Sequence, residues 1–400
     1  MKLKESIRRV GKLLHRISNY IKKRIYSYLL LRYQEFARKL NLEAKDNVAN
    51  RALRNVKQKR SLTPQQKKEI TDFYKGLTGQ KVSLSDHVYF YSRTGVYAKD
   101  YMPRGLYETE ILGRANRLDC YNSSYCDKNL NEMLLPGIKH PHSYLKNING
   151  YYYYEGRPVG MDEAAFLCQD LHDVIVKPSK GHGGQGVRRL SFKDGRTISG
   201  GHTLLDLFAA YHRDFLIQES VKQHPLISAL NPTSVNTLRI MTYRSGMEVM
   251  VVYSAIRIGR QDQVIDNQKS GGMSTVIHPD GKLGKYAFGK AGDDMLEKTD
   301  TGIVLEGYQL PYFDQAIETV KNLHYSLPLF DIVGWDISIN EEGEPVLIEW
   351  NGCPDPSQTA CGTGLGALTE RIIKEVWPRE NTRFYDPPKY FYRARRRSAH

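Results

Sequence analysis

A glycine-rich segment between two apolar segments is the feature that most constrains the fold of this chain. It reads VIVKPSKGHGGQGVRRLSF, from Val174 to Phe192. Its glycines match a G-x-G-x-x-G dinucleotide-binding fingerprint, but that fingerprint requires a helix directly after the glycines. Here apolar residues follow among basic and small polar ones, without a helical apolar face. The pattern therefore predicts two strands that flank a glycine-rich hairpin.

The predicted hairpin has the composition of an anion-binding loop. Glycine lets backbone N–H groups approach a phosphate closely, and Lys177 and Lys180 add positive charge to the same segment. The sequence thus predicts a flap over the phosphates of a nucleotide. Its candidate phosphate-binding glycines are Gly181, Gly183, Gly184 and Gly186.

Positive charge is concentrated at the N-terminus. The 400 residues carry a formal net charge of +14 at pH 7. Residues 1–60 contain 18 Lys and Arg against 4 Asp and Glu, whereas the remaining 340 residues contain 40 of each sign. With 40% hydrophobic and 26% charged residues, the chain is predicted to be globular and long enough for two or three domains. The basicity belongs to the N-terminal segment and not to the body.

This basic segment is predicted to be an amphipathic helix. Its apolar residues recur every three or four positions as Ile7, Val10, Leu14, Ile17, Ile21, Ile25 and Tyr28. Such a helix can lie on an anionic membrane surface, or it can pack on its own protein or on a partner. Nucleic acid is not expected as a partner, because the body is neutral and contains no recognisable binding module.

The chain is predicted to have an α+β organisation in four parts. Residues 1–60 are the basic helical segment, 61–119 a mixed N-terminal region, 120–385 the core and 386–400 a basic tail. A cap signal and a proline follow Ser61, where the folded body is expected to start. Residues 85–170 predict short helices and turns. Further on, the predicted strands are Val174–Val176, Phe215–Gln218, Thr237–Tyr243, Met247–Arg257, Ile332–Ile339 and Val346–Glu349, and the predicted helices are Leu204–His212, Tyr312–Leu327 and Gly364–Val376.

A second constellation lies in the segment DIVGWDISINEEGEPVLIEWNGCPDP. Two apolar segments flank a Glu-Glu-Gly-Glu turn, which predicts a β-hairpin. Asp336 lies in its first strand, Glu349 ends the second, and Asn351 follows two residues later on the same face. Hard oxygen ligands of this kind suit Mg²⁺ bound together with substrate phosphates. Taken alone, the same residues are equally compatible with bonds to a nearby arginine or to backbone.

Other catalytic classes lack their motifs. A P-loop needs Gly-Lys-Ser/Thr at its end, but Val187 follows the last glycine here. No kinase catalytic loop and no G-x-S-x-G nucleophile motif occurs. The five cysteines form no C-x-x-C pair, and no run of about 18 apolar residues exists. We therefore expect a protein of the reducing cytoplasm without a disulfide framework or a membrane span.

Together, the glycine hairpin and the carboxylate hairpin resemble the ATP-grasp superfamily. The spacing of Asp336, Glu349 and Asn351 is similar to the magnesium-binding pattern of D-alanine–D-alanine ligase-like enzymes. The segments SVNTLRIMTY and SGGMSTVIHPDGK resemble the sugar-transfer associated ATP-grasp family in particular, and the resemblance covers about residues 120–375. It implies an ATP-grasp fold, in which two α/β lobes clasp ATP, with a basic helical N-terminal extension.

The resemblance also implies a role for each matching residue. Asp336, Glu349 and Asn351 would bind Mg²⁺, or Mn²⁺ in its place. Lys177 would contact the α- and β-phosphates of ATP, and Lys128 would be the second ATP-binding lysine. The alternatives are a surface lysine on a strand and an ordinary lysine at a helix start.

Two further pairs of residues follow from the same resemblance. Gln218 and Glu219 would lie at the hinge that binds adenine and ribose, unless they are only the polar end of a strand. Arg239 and Arg257 are the candidate catalytic residues, because a guanidinium keeps its charge beside a transferring phosphoryl group. An ordinary salt bridge is the alternative for both.

The implied reaction is ATP- and Mg²⁺-dependent ligation of a carboxylate to an amine through an acyl phosphate. The association with sugar transfer suggests a sugar acid used in cell-surface polysaccharide assembly, such as a capsule, with an amino acid or amine as its partner. The basic helix would hold the enzyme at the inner face of the plasma membrane. The alternatives are phosphoryl transfer to an acceptor other than a carboxylate, and an ATP-binding regulatory or scaffold protein.

Overall fold

The computed structural model describes residues 2–118, 121–181, 183–261, 266, 271–290 and 295–382. The predicted basic tail at 386–400 lies outside these residues. Helices precede and cover two antiparallel sheets, one of six strands and one of five. None of the helices in the described part of the chain is long and apolar enough to cross a membrane.

The secondary structure elements are numbered in chain order. The helices are α1 (Lys2–Arg54), α2 (Pro64–Thr78), α3 (Ser85–Thr94), α4 (Arg104–Leu106), α5 (Leu112–Ala115), α6 (Tyr121–Tyr125), α7 (Asn131–Leu134), α8 (Met161–Leu167), α9 (Leu204–Tyr211), α10 (Pro225–Ser228), α11 (Phe313–His324), α12 (Gln358–Cys361) and α13 (Thr369–Val376). A π-helical turn, Tyr107–Ile111, joins α4 to α5, and 3₁₀ turns cover Lys128–Leu130 and Gly366–Leu368.

The strands are β1 (Ser143–Ile148), β2 (Tyr151–Tyr154), β3 (Arg157–Val159), β4 (Val174–Pro178), β5 (Arg188–Leu190), β6 (Phe192–Lys193), β7 (Arg196–Thr197), β8 (Phe215–Glu219), β9 (Thr237–Ser245), β10 (Glu248–Ile258), β11 (Met273–Val276), β12 (Ile332–Ile339) and β13 (Pro345–Asn351). The six-stranded sheet has the order β3-β2-β1-β8-β4-β5, and the five-stranded sheet has the order β11-β10-β9-β12-β13. Strands β6 and β7 form a separate pair.

Helix α2 is capped at both ends by its own sequence. The Thr63 side chain accepts a hydrogen bond from the Gln66 backbone N–H at 3.2 Å, and the Gln66 side chain accepts one from the Thr63 N–H at 2.9 Å. Pro64 occupies the first turn, where its missing N–H costs nothing, and Gly79 ends the helix with φ of 71°. The cap signal and the proline predicted after Ser61 are thus present at the start of this helix.

The two sheets differ in how much of their surface is covered. One face of the six-stranded sheet packs Val174, Val176 and Ile217 against α8 and α9. The five-stranded sheet is covered on both faces. One face carries Leu238 and Ile240 against α11. The other face packs against α2, α13 and the helices around residue 107. The uncovered face of the first sheet is therefore free to line a cavity.

The strands predicted beyond residue 172 are all present, with ends that differ from the prediction by at most two residues. The predicted helices are present too, although the last one starts at Thr369 after a 3₁₀ turn. One prediction was wrong. Residues 143–159 form the hairpins β1-β2-β3 and not helices and turns. Their turns carry positive φ at Asn149-Gly150 and Glu155-Gly156, which is the conformation of tight two-residue hairpin turns.

Candidate functional site

A cavity of about 180 Å³ lies between the six-stranded and five-stranded sheets. It is lined by most of the residues that the sequence predicted as functional: Lys128, Lys177, Lys180, Gly181, Gly183, Gly184, Gln218, Glu219, Arg239, Arg257, Asp336, Glu349 and Asn351. These residues come from positions more than 220 apart in the chain, so the fold has brought them together. Of the predicted set, only Gly186 is missing from the lining.

Strand β4 supplies a buried lysine by simple alternation. Val174 and Val176 point into the core under α8 and α9, so Ile175 and Lys177 point to the opposite face and into the cavity. The Lys177 side chain is largely buried, with 8% exposure. Burial and the neighbouring charge of Lys128 lower the pKa of Lys177 to about 8, against the opposing effect of Glu349. An anion bound beside Lys177 would therefore stabilise its protonated form.

The glycine hairpin follows Lys177 directly. Gly181, Gly183 and Gly184 have φ of 120°, 76° and 75°, values that side-chain-bearing residues rarely adopt. Lys180 projects from the hairpin and lies 3.4 Å from Asp127 and 3.8 Å from Asp214. The hairpin can therefore present backbone N–H groups toward the cavity while carboxylates hold its lysine.

Gly186 has a different place from its neighbours. It has φ of 71°, and a Cβ at this position would lie 3.0 Å from Pro178 Cγ. Its carbonyl accepts a hydrogen bond from the Tyr211 hydroxyl at the base of the hairpin. Gly186 thus closes the hairpin, and it does not line the cavity as its prediction as a phosphate-binding residue requires.

Lys128 connects the two sides of the cavity. Its ammonium group donates a hydrogen bond to the Gly181 carbonyl at 3.1 Å and lies 3.5 Å from Glu349 Oε1. Asp127 fixes the start of this segment by accepting a hydrogen bond from the Asn129 N–H at 3.1 Å. The 3₁₀ turn that begins at Lys128 therefore places a cation between the glycine hairpin and the carboxylate hairpin.

The three predicted metal ligands share one face of the five-stranded sheet. Asp336 and Glu349 are directly opposite each other in β12 and β13, and Asn351 is opposite Gly334. Because side chains alternate along a strand, Glu349 and Asn351 point the same way. All three line the cavity. The sequence prediction of their convergence is consistent with this register.

Two arginines hold Asp336. Arg239 is directly opposite Asp336 across β9 and β12, and its Nε and Nη2 atoms lie 2.7 and 2.8 Å from the two carboxylate oxygens. Arg257 Nη1 lies 3.4 Å from the same oxygens. Asp336 and Arg239 are only 5% and 6% exposed. The salt bridge named as the alternative for Arg239 is thus present, in a position where both arginines also face the cavity.

The donor set fits a hard divalent cation. Two carboxylates and one amide oxygen converge, and Mg²⁺ commonly takes one or two carboxylates plus phosphate oxygens and water. Asp336, Glu349 and Asn351 would hold the ion. Asp336 is bonded to Arg239, so an ion held here would share or displace that contact.

Gln218 and Glu219 are held by the segment that leads into β1. The Gln218 amide donates to Ser143 Oγ at 2.9 Å, and the Glu219 carboxylate accepts from the His142 N–H at 2.9 Å. Both residues line the cavity, but these bonds already occupy their side chains. Their roles toward adenine and ribose remain predictions.

Sequence reasoning missed two parts of this cavity. Apolar side chains of the lining form one part, and they are Ile175, Val187, Val221, Val235 and Ile348. Residues of this kind in strands look like core residues, so no sequence signal separated them from the core.

Asp266 is the other missed residue. It accepts a hydrogen bond from the Thr237 N–H at 3.1 Å and another from the Thr237 hydroxyl. Burial raises the pKa of Asp266 to about 6, while Arg257 and the hydrogen bonds from Thr237 oppose the shift. Burial alone would lower the pKa of Arg257, but the charges of Asp336 and Asp266 raise it above its ordinary value. Asp266 thus adds a third carboxylate to the arginine cluster.

Several solved structures are similar to this chain. D-alanine–D-alanine ligase from Bacillus anthracis is 14% identical, with a TM-score of 0.37 over 64% of this chain and 68% of that chain. L-amino acid ligase from Bacillus licheniformis is 12% identical, with a TM-score of 0.36 over 66% of this chain and 50% of that chain. The D-Ala:D-Ser ligase VanG from Enterococcus faecalis is 12% identical, with a TM-score of 0.36 over 63% and 60%. The match spans about half the length of the L-amino acid ligase.

No curated protein matches the sequence. The family profile described as sugar-transfer associated ATP-grasp matches residues 126–374, which is more than half of the chain. The matched range contains every residue of the cavity described above. This chain belongs to the sugar-transfer associated ATP-grasp family.

Proposed function

We propose that this protein is an ATP-dependent ligase that activates a carboxylate as an acyl phosphate and couples it to an amine. The observation that carries the proposal is the cavity between the sheets. Three lysines and a glycine hairpin face two carboxylates, an amide and two arginines across it. That arrangement pairs a site for a triphosphate with a site for the anion that would attack it.

The lysines suit the binding of ATP. Lys177 is buried with a lowered pKa, so the negative charge of a phosphate group beside it would favour its protonated form. Lys128 lies between the hairpin and Glu349, where it can follow the phosphates toward the carboxylates. When bound, Mg²⁺ would offset charge on the phosphate oxygens.

The arginines suit the binding of a carboxylate substrate. Arg239 and Arg257 face the cavity beside the Asp336–Glu349 pair, so an anion drawn to them would lie close to the end of the triphosphate. A carboxylate oxygen would attack the γ-phosphorus, the bond to ADP would break, and an acyl phosphate would result. A closed cavity matters because water would hydrolyse that intermediate.

The substrate class that we propose is a sugar acid used in cell-surface polysaccharide assembly, such as a capsule, with an amino acid or simple amine as its nucleophile. The family description supports the connection to sugars. The two arginines of the cavity support a substrate that carries a carboxylate.

The test uses purified full-length protein, ATP, Mg²⁺ and a panel of sugar acids, with hydroxylamine as the trap. A ligase should release ADP and phosphate and form a hydroxamate in the presence of the correct carboxylate, measured by mass spectrometry. A phosphorylated acceptor that accumulates without hydroxamate would instead identify a phosphotransferase. ADP release that is unchanged in Asp336→Asn and Glu349→Gln would identify a binding or scaffold protein and contradict the proposal.

We propose, in addition, that α1 places the enzyme on the inner face of the plasma membrane. The helix has 53 residues, and its two halves have different environments. From Arg38 onward it packs on the body: Arg38 lies 3.3 Å from Glu110, and Ala49 is fully buried. The part before Arg38 includes exposed apolar side chains, namely Tyr20, Ile21, Ile25, Tyr26, Tyr28, Leu29, Leu31, Tyr33 and Phe36.

Five of these nine exposed apolar residues fall on one stripe. Ile21, Ile25, Tyr28, Leu29 and Phe36 follow the spacing of one helix face, and each is at least half exposed. Residues 18–40 also contain six Lys and Arg and a single Glu. Apolar surface of this extent beside so much positive charge favours an anionic lipid surface over a second copy of the same basic helix. The side chains of the earlier stripe residues, Ile7, Val10, Leu14 and Ile17, lie outside the described ones.

Sedimentation with lipid vesicles tests this placement. The full chain should bind vesicles that contain anionic phosphatidylglycerol and should not bind neutral phosphatidylcholine vesicles. Ile25→Gln combined with Leu29→Gln should weaken binding by about tenfold or more, because two apolar side chains leave the lipid. Leu31→Gln is the matched control, since Leu31 is equally exposed but lies away from the stripe. Equal losses in both variants would contradict the proposal. A shortened chain for the same test should start at Arg38, because the residues from Arg38 onward pack on the body.

A further inference from the structure

Asp266 lines the cavity between the sheets but has no part in the binding of ATP, metal ion or carboxylate described above. Its side chain is partly buried. A Cβ added to Gly272 would lie 2.1 Å from the Asp266 carbonyl oxygen, so glycine at this position lets the Asp266 backbone pack beside the start of β11. The chain thus holds this carboxylate at the cavity by a close backbone contact.

The two oxygens of the Asp266 carboxylate have different surroundings. Oδ2 accepts hydrogen bonds from the Thr237 backbone N–H, at 3.1 Å, and from the Thr237 hydroxyl. Among the described residues, none donates a hydrogen bond to Oδ1, and no lysine or arginine forms an ion pair with the group. One oxygen therefore anchors the carboxylate, and the other is available to a ligand in the cavity.

The anchor places Asp266 beside the two arginines. Thr237 is directly opposite Arg257 across β9 and β10, and it precedes Arg239 by two residues in β9. Cross-strand partners and residues two apart point to the same face, and all three of these residues line the cavity. Burial lowers the pKa of Arg257, but the charges of Asp336 and Asp266 raise it above its ordinary value, which agrees with this placement.

A negative charge at this position does not suit the anionic substrate of the proposed reaction. A carboxylate bound by Arg239 and Arg257 would be repelled by Asp266. The amine must reach the same place, because its nitrogen attacks the carbon of the acyl phosphate. An aliphatic amine is an ammonium ion near pH 7 and must lose a proton before it can attack. A carboxylate beside the arginines can attract the ammonium group and take that proton.

We propose that Asp266 binds the amine substrate as an ammonium ion and acts as the general base that takes a proton from it. This role rests on the proposed function, and it narrows the nucleophile to an aliphatic amine. Burial raises the pKa of Asp266 to about 6, the charge of Asp336 on β12 adds to the rise, and Arg257 on β10 and the Thr237 hydrogen bonds oppose it. The group is therefore deprotonated near pH 7, and its pKa is close to the pH at which a general base works best.

The chemistry balances without another reactant. Asp266 takes one proton from the ammonium group, which leaves a neutral amine with a free electron pair. The nitrogen attacks the acyl carbon, so a C–N bond forms while the bond from that carbon to the phosphate oxygen breaks. The phosphate leaves with the electron pair and takes up the second proton from nitrogen. The protonated Asp266 then returns its proton to water.

The first experiment separates capture by the amine from activation of the carboxylate. Full-length protein is incubated with ATP, Mg²⁺ and the sugar acids, and with either hydroxylamine or one amine from a panel of ethanolamine, glycine and L-alanine. Hydroxylamine is largely neutral near pH 7, so it needs no proton acceptor before it attacks. At this pH Asp266→Asn should lower amide formation by about 100-fold and hydroxamate formation by no more than about threefold. The asparagine can still accept both hydrogen bonds from Thr237, and hydroxamate formation reports an intact site.

Asp206→Asn is the matched control for this experiment. Asp206 Oδ2 accepts the same pair of hydrogen bonds, from the Thr203 N–H at 3.0 Å and from the Thr203 hydroxyl at 2.7 Å. It lies on α9, outside the lining of the cavity. This variant should form amide and hydroxamate at the wild-type rates.

The pH dependence distinguishes a proton acceptor from a residue that only shapes the cavity. The ratio of amide to hydroxamate, each measured with saturating nucleophile, cancels the effect of pH on ATP binding. In the wild type this ratio should stay constant between about pH 7 and 9, because Asp266 is already deprotonated there. In Asp266→Asn it should rise by about tenfold per pH unit, because only amine that is already neutral in solution can react.

Two results of these assays would overturn the role of Asp266. Equal losses of amide and hydroxamate in Asp266→Asn would place the residue in activation or in metal binding. A loss of amide that stays the same at every pH would mean that Asp266 takes no proton from the amine.

A wild type that forms no hydroxamate from any sugar acid contradicts the proposed function. In that case, and where hydroxamate forms without amide, a binding measurement decides the role of Asp266 by itself. The unfolding temperature of the full chain with Mg²⁺ and ADP is followed as each amine of the panel is added, since a compound that binds the folded state raises Tm. A rise that Asp266→Asn removes and Asp206→Asn keeps supports an ammonium site at Asp266. No rise with any amine, or a rise that persists in Asp266→Asn, overturns it.

Discussion

The two sheets around the cavity that contains Lys177 and Asp336 hold their charged residues in different ways. In the five-stranded sheet, Asp336 and Arg239 are buried and bonded to each other across adjacent strands. In the six-stranded sheet, Lys180 is 56% exposed and projects from a hairpin of glycines with positive φ. One side of the cavity is therefore fixed by packing and ion pairs, while the other side depends on a loop with few bonds of its own.

This difference follows from how each sheet is covered. Strand β12 is buried along all eight residues, because helices pack on both faces of its sheet. The six-stranded sheet packs one face against α8 and α9, and its glycine hairpin extends past the edge of that core. The difference suggests that the carboxylates and arginines form a preorganised site and that the glycine hairpin adapts to the nucleotide. The predictions below test that contrast.

The largest expected effect concerns the buried ion pair. Asp336→Ala leaves the buried Arg239 without its carboxylate partner, and removing one member of a buried pair costs about 3–5 kcal/mol. Urea unfolding should show this as a lower free energy of unfolding. Lys180→Ala, on the hairpin, should change the same quantity by no more than about 0.5 kcal/mol. Similar losses in the two variants would remove the contrast between the sheets.

The next prediction concerns a variant that should lose activity but keep its stability. Glu349 has 25% side-chain exposure and lies 3.5 Å from Lys128, so Glu349→Gln should leave the unfolding midpoint nearly unchanged. Turnover of ATP should nevertheless fall by about 10²–10³-fold, because a charged group beside the transferring phosphoryl group is lost. ADP release measures it.

Glu344→Gln provides the matched control for that experiment. Glu344 belongs to the same β-hairpin, but it lies on the surface and pairs with Lys139 at 2.6 Å. ADP release should stay at the wild-type rate in this variant. A parallel loss in both variants would indicate a general effect on the hairpin, and Glu349 would then have no special role.

Much of this fold was predictable from sequence, and the missed parts have physical reasons. Strands β9 and β12 are long and almost wholly buried, so their apolar segments have strong signals. Strands β1 to β3 were missed because none of them shows a clean alternation of apolar and polar residues. In β2, tyrosines occupy both faces, and Tyr151 is 69% exposed. Their hairpin turns were nevertheless visible as Asn149-Gly150 and Glu155-Gly156, which is a signal that could have found them.

The cavity was predicted in the same uneven way. Lys177, Asp336 and Glu349 were found because ionisable residues inside apolar strands are unusual. The apolar part of the lining was not found, since Ile348 resembles any core residue. Local patterns predict side chains that differ from their surroundings. They do not predict a space enclosed by distant segments.

A smaller effect is expected at the base of the glycine hairpin. Gly186→Ala would force a side-chain-bearing residue to φ of 71° and place its Cβ 3.0 Å from Pro178. The left-handed conformation alone costs about 1–2 kcal/mol, so the free energy of unfolding and the affinity for ADP should both decrease. Gly76→Ala is the control, because Gly76 is exposed in α2 with open space around it. That variant should be more stable by up to about 1 kcal/mol, and a loss of stability there would contradict the reasoning.

The smallest effect is a pH dependence of nucleotide affinity that originates in Lys177. Its pKa of about 8 means that the side chain is protonated below that pH and loses its charge above it. A phosphate binds the protonated form better, so the affinity for ADP should be constant below about pH 8 and should weaken as the pH rises. The slope cannot exceed about 1.4 kcal/mol per pH unit for a single proton.

Titration calorimetry with ADP and Mg²⁺ between about pH 7 and 9.5 measures this dependence, and Lys177→Arg sharpens it. A guanidinium stays charged throughout that range, so the affinity of the variant should no longer weaken with pH. A wild-type affinity that stays flat to about pH 9.5 would mean that Lys177 keeps its proton or does not face the phosphates. The six-stranded sheet would then supply its positive charge through Lys128 and the hairpin alone. Lys177 would then have a structural role, like the ion pair between Arg239 and Asp336 on the opposite sheet.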